Sequence, residues 1–216
     1  MSRLFPLARL SRRRLGELFG ARAARAYGIG IAGTNALLVL VLPSTTEASS
    51  FALLLKNASS SASWAVAGLV GLSAARDLSQ RDELDGISAL ASSRGYDARD
   101  LDLSRVGAAA FVIAVWLFAP LAVLSLIVGI RLSAPSGVWT IAWIAFLALY
   151  SALLAVTLSA LARVAAHLYP NYGRSALSAF VLLPHLLHWA FPEVPSLPAA
   201  FGWLLDRGAD WVSLFG

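Results

Sequence analysis

Cysteine is absent from the 216 residues, which excludes disulfides, thiolate metal sites and covalent c-type haem attachment. Charge is scarce: 13% of residues are charged against 58% hydrophobic, a balance far from that of soluble domains. Lysine is nearly missing, with Lys56 alone beside sixteen arginines, which reads as a compositional bias of the source. No carboxylates pair within the apolar runs, and no nucleophile–base constellation or metal-spaced cluster occurs, so an enzyme reading has little to stand on. No cofactor or bound metal is expected. The net charge of +5 would suggest nucleic acid in a soluble chain, but here the arginines flank apolar runs, and membrane topology is the better cause. The expectation is one transmembrane domain over residues 1–216.

A bilayer core of about 30 Å takes roughly 20 mainly apolar helical residues to cross. Residues 27–43, 106–130, 138–161 and 175–191 qualify, and 58–75, less apolar and opening on serines, adds a fifth. Gly28, Gly30, Gly33, Gly68 and Gly71 suit close helix packing inside a bundle. The fold class is thus an all-α integral membrane protein with five transmembrane helices, or six if 197–216 also crosses. That last stretch carries Asp206, Arg207 and Asp210, each costing about 2.5–3.5 kcal/mol at a helix centre. Phe201, Leu204, Leu205, Val212 and Phe215 share its other face, so it reads as an outer amphipathic tail or a degenerate sixth span.

With five spans, Arg3, Arg9, Arg12, Arg13, Arg14, Arg22, Arg25, Arg76, Arg81, Arg94, Arg99, Arg105, Arg163 and Arg174 fall on one side. Lys56, Arg131 and Arg207 fall on the other. This bias predicts a cytoplasmic N-terminus in a bacterial inner membrane. Trp64, Trp139, Trp143 and Trp189 fall at outer span ends, as an interfacial belt would, with Trp116 deep. Residues 3–26 repeat Leu4, Leu7, Ala8, Ser11, Leu15 and Leu18 at helical spacing against Arg9, Arg13 and Glu17. This predicts an interfacial helix whose arginines meet anionic lipid headgroups. An Arg-rich, acid-poor start also suits a mitochondrial transit peptide, but it serves equally as a positive-inside anchor.

The longest polar stretch, 76–105, joins the second and third spans. It holds Asp77, Asp82, Glu83, Asp85, Asp97, Asp100 and Asp102 with five arginines. Mixed signs argue against a polybasic lipid-binding loop. Two short helices are expected, over 82–91 and 97–105, broken at Gly95. A solvated connector is the plain alternative, yet some thirty residues exceed what a connector needs, and rigid charged helices offer a soluble partner a docking surface.

The arrangement resembles the ABC-2 (type 2) family of ABC transporter permeases. The resemblance rests on the interfacial N-terminal helix, the charged region between spans two and three, and a motif: the acids Asp82, Glu83 and Asp85, then Gly86, with the basic Arg105 nineteen positions on. Leu90 and Asp100 fall near the family's apolar and acidic positions. Ile87 stands where the family has Thr, Gly95 near its Pro, and Arg105 for its Lys. The resemblance implies a membrane permease subunit, an exporter by its likeness to the haem-export branch, in which Asp82, Glu83, Asp85, Gly86, Leu90, Asp100 and Arg105 couple to a separate ATPase subunit. It also implies a second permease chain, identical or a paralogue. A G-x-x-x-x-G-K-[ST] phosphate loop is missing, which agrees with ATP hydrolysis residing in a partner.

His185 and His188, at i, i+3 in the fifth span, form a possible intramembrane polar site. They lie too close on one helix to be opposite axial ligands, and His167 sits about 15 Å away in depth. Structural hydrogen bonding is the reading adopted. A haem- or quinone-binding redox subunit and a non-transporting scaffold or assembly subunit are the alternative functions.

Overall fold

In the computed structural model, residues 4–42, 48–131 and 136–214 are described. Arg3, the expected span end at Pro43, and Phe215 and Gly216 lie outside them. All regular structure among the described residues is helical. In order come α1 (Leu4–Glu17), α2 (Phe19–Val41), α3 (Ala48–Leu72), a π-helical turn (Ser73–Asp77), α4 (Leu78–Leu84), α5 (Ile87–Ser93), α6 (Ala98–Arg131), α7 (Ser136–Leu168), α8 (Gly173–Ala190) and α9 (Leu197–Ser213). Three helices are long and apolar enough to cross a membrane: Phe19–Val41, Ala98–Arg131 and Gly137–Leu168. Of the five expected spans, 58–75 within α3 and the π-turn, and 175–191 on α8, do not reach that standard.

The boundaries shift from the expected ones for local reasons. Leu18 is extended (φ −70°, ψ 147°), so α1 stops at Glu17 and α2 starts at Phe19, eight residues before the apolar run alone suggests. Arg25 is therefore inside α2, its guanidinium over the Trp116 ring at 5.3 Å. That contact lets a cation remain beside apolar surface. Residues 97–105 form no separate helix. They cap and begin α6, whose 34 residues give about 51 Å, some 20 Å more than a bilayer core.

α6 and α7 pack together along their lengths, with α2 and α3 on one side and α8 and α9 beside α7. Leu117, Leu121 and Leu124 of α6, Val66 and Val70 of α3, and Leu147 and Leu154 of α7 belong to one buried cluster. α3 touches α2, α6, α7, α8 and α9, so much of its surface meets protein. Its buried Ser59 and Ser63 donate to the carbonyls of Leu55 (2.7 Å) and Ser59 (2.6 Å), which removes the cost of enclosing them.

The expected tryptophan belt is corrected in part. Trp139 and Trp143 are buried, because 139, 143, 146 and 150 form one helical stripe of α7 that faces inward. Trp143 stacks on Phe146 (5.5 Å), Tyr150 meets Phe201 edge-on (5.7 Å), and Phe201 meets Trp64 (6.4 Å). Trp189 is exposed. These contacts also place α9. As its numbering rises from Phe201 through Asp206 to Gly208, its partners fall from Trp64 to Lys56 on α3 and from Tyr150 to Phe146 on α7. α9 therefore runs alongside both helices, antiparallel to them, instead of lying across their ends.

Candidate functional site

α1 crosses the base of α6 with Leu7, Ser11 and Leu15 buried. Ser11 and Ser104 share a hydroxyl hydrogen bond of 3.0 Å, and Arg12 lies over the Phe111 ring at 4.6 Å. Arg14, on the same stripe as Ser11, points inward. Its Nε donates to Asp82 Oδ1 (2.7 Å), and its Nη2 donates to Asp85 Oδ2 (2.5 Å) and the Arg81 carbonyl (3.2 Å). Arg105, from α6, donates through Nε to the other Asp82 oxygen at 2.9 Å. One carboxylate thus joins three helices.

That carboxylate is enclosed. The Asp82 side chain is 1% exposed, with Arg14 at 13% and Arg105 at 11%. Burial by itself lowers the Arg14 pKa, but the hydrogen bond to Asp85 and the charge of Asp82 raise it on balance. Outward from this centre the network continues. Arg81 bonds Glu17 (3.0 Å), while Asp102 lies 2.5 Å from Arg163 on α7 and 3.7 Å from Arg105. Beyond it, Arg174 pairs with Asp77. The outer pairs are partly exposed, and each contributes about 0–1 kcal/mol. The Asp82 centre is different, since removal of one partner from a buried pair costs several kcal/mol.

The residues singled out from sequence therefore divide. Asp82 and Arg105 face inward and hold α4 against α1 and α6. Asp100 accepts the Asp97 backbone N–H (3.2 Å) at the start of α6, a capping contact. Glu83, Asp85, Gly86 and Leu90 are exposed on α4, α5 and the turn between them. Leu84 stands among them at 81% exposure, an apolar side chain missed in the sequence because the acids around it drew attention. Arg14 was also missed, although its place on the Leu7–Ser11–Leu15 stripe was a visible signal.

Gly86 has φ +65°, and a Cβ there would meet nothing within 4 Å. Its role is conformational, to permit the left-handed turn from α4 to α5. Gly86→Val is expected to cost about 1–2 kcal/mol from the left-handed backbone. Gly86→Asn should cost clearly less, since Asn tolerates that region. Equal losses in thermal unfolding would mean that space, and not backbone angle, selects glycine.

His185 and His188 are both engaged in the α8–α9 turn. His185 Nδ1 lies 3.3 Å from the hydroxyl of Ser196, which caps α9 by accepting from Ala199 N (3.2 Å). His188 Nδ1 donates to the Val194 carbonyl at 2.7 Å. Among the described residues no group of three or more His, Cys, Asp or Glu could hold a metal ion. No family model matches the chain, and no curated protein or solved structure matches it either.

Proposed function

We propose that this chain is the membrane permease subunit of an ATP-driven transporter of the ABC-2 kind, an exporter that docks a separate ATPase subunit on α4 and α5. The observation that carries this reading is the contrast between the two sides of α4. The inner side is anchored by the enclosed Asp82, while the outer side presents Glu83, Leu84, Asp85 and Gly86 to solvent. An exposed apolar residue ringed by charge suits a protein partner. The rigid anchor suits a lever, since a push on α4 reaches α1 and α6 together. In this reading Asp82 and Arg105 position α4, and Glu83, Leu84, Asp85, Gly86 and Leu90 meet the partner.

The membrane arrangement proposed has five spans, α2, α3, α6, α7 and α8, with α9 running in the same direction as α8 alongside α3 and α7. A helix surrounded by other helices, as α3 is, needs less apolar surface than one facing lipid, which reconciles its serines with a spanning role. The arginine-rich end is placed in the cytoplasm of a bacterial inner membrane. Two permease chains, identical or paralogous, would pair to form the path, with two ATPase subunits.

The test is co-purification of a phosphate-loop ATPase with the chain, followed by ATP hydrolysis in reconstituted vesicles. Leu84→Asp is expected to weaken ATPase binding about tenfold, as loss of an apolar anchor does. Its unfolding midpoint should match that of the parent chain. Binding without transport-coupled hydrolysis would favour the scaffold alternative, and a native complex with no nucleotide-hydrolysing partner would end the transport reading.

A further inference from the structure

A second polar feature lies at the same end of the bundle, and Leu84 is not among the residues that line it. A cleft of about 320 Å³ opens where the π-helical turn, α4, α6 and the end of α7 converge. Arg76, Arg105, Arg163 and His167 line it, Asn171 adds a neutral amide, and Glu83 is the one carboxylate among the lining residues. We propose that this cleft is a binding site for a phosphate-bearing anion.

The donors are only partly used by the protein itself. Arg105 Nε is taken by Asp82 and Nη1 leans toward Asp102, but Nη2 is buried with no hydrogen-bond partner. Arg163 gives Nη2 to Asp102, and Arg76, which is exposed, makes no ion pair among the described residues. A buried donor of a charged group without a partner is costly, and such an orphan in a native fold calls for an ion, a water or a ligand. Guanidinium groups converging from three elements match the several oxygens of one phosphate better than a single carboxylate.

Position supports the same chemistry. The cleft sits where the apolar run of α3 gives way to the π-turn and where α7 ends, which is headgroup depth for helices that cross a bilayer. π-turns of this kind occur often at functional sites. Here the turn is braced from behind: a Cβ on Gly173 would fall 2.1 Å from the Ala75 carbonyl, so α8 packs directly on its backbone. The phosphate could belong to an anionic lipid headgroup or to a free phosphate compound, and the experiment separates the two.

The inference does not depend on the transport reading, because the assay uses the chain alone. One arm titrates inorganic phosphate into delipidated protein in neutral detergent and follows the unfolding midpoint. The other counts lipids retained in native mass spectrometry from discs of phosphatidylglycerol or phosphatidylcholine. A saturable midpoint rise identifies free phosphate. Selective retention of phosphatidylglycerol without that rise identifies a lipid headgroup. In either case Arg76→Gln, an exposed and unpaired position, should weaken binding about tenfold. Arg9→Gln, the same charge change on α1 outside the cleft, should leave binding unchanged. Equal weakening by both variants would reduce the effect to general charge attraction. Absence of both signals would remove the site.

Discussion

Asp82→Ala is expected to destabilise the folded chain by about 3–5 kcal/mol, the range for removing one partner from a buried ion pair. The change takes the shared carboxylate, at 2.7 and 2.9 Å, from two nearly enclosed guanidinium groups, and leaves Arg14 with Asp85 and the Arg81 carbonyl and Arg105 with Asp102 at 3.7 Å. Arg105 borders the open cleft and can be hydrated in place, whereas Arg14 reaches water fully only if α1 moves. The cheaper escape is for α1 to lift away, since Arg14 can then be solvated while α6 stays in the bundle. Detachment can be watched directly because the chain has no cysteine of its own. A cysteine pair introduced at Ser11 and Ser104, whose hydroxyls lie 3.0 Å apart, should cross-link in the parent and much less with Asp82→Ala. The triple change Arg14→Met, Asp82→Leu, Arg105→Met removes the charges together and should recover most of the stability. Asp82→Ala with an unchanged unfolding midpoint and full cross-linking would show that the three groups do not depend on one another.

How much of this was legible beforehand depends on which signal carried it. The long apolar runs announced α2, α6 and α7, because length and hydropathy suffice where a helix faces lipid. α3 was less clear, as its serines are satisfied by its own carbonyls and enclosed by neighbours, which hydropathy does not register. The break at Leu18 rests on two backbone angles that no periodicity encodes. The upright course of α9 depends on ring contacts with Trp64 and Tyr150 and on a Lys56–Asp206 ion pair, all distant in sequence.

The polar stretch shows the same limit more sharply. Its acids were visible as a run, yet Asp82, Glu83 and Asp85 differ completely in surroundings. Asp82 follows Leu78 by one helical turn and shares its buried face, while Glu83 turns outward. Burial of Leu78 was a fair guess; that an acid would join it required two arginines from elsewhere, at positions 14 and 105. Arg105 was singled out as a motif residue and Arg14 stood on an apolar stripe, but nothing in the sequence joined either to Asp82. The stripe 139, 143, 146, 150 was equally visible as a period and was passed over because tryptophan suggested an interface.

Glycines give the last case, since Gly28 and Gly30 look alike in sequence and differ in space. Pro120 lies inside α6 and has no N–H to give the carbonyl four residues back, that of Trp116. Gly28 of α2 packs against this carbonyl so closely that a Cβ would fall 2.7 Å from its oxygen and 3.3 Å from Val66 Cγ2. A backbone oxygen cannot rotate aside, and the Cα–H of glycine is a weak donor well placed to face it. Gly28→Leu is therefore expected to force α2 away from α6 and α3 at a cost of about 1–3 kcal/mol, the range for overpacking. Gly30 is exposed, and a Cβ there meets nothing within 4 Å, so Gly30→Leu adds the same side chain to an open face. Its expected effect is within about 0.5 kcal/mol, or a small gain from better helix propensity. The comparison is made by thermal unfolding of both variants in one detergent. Similar midpoints for Gly28→Leu and Gly30→Leu would mean that α2 does not approach the Trp116 carbonyl, and that Pro120 leaves its gap to be filled in some other way.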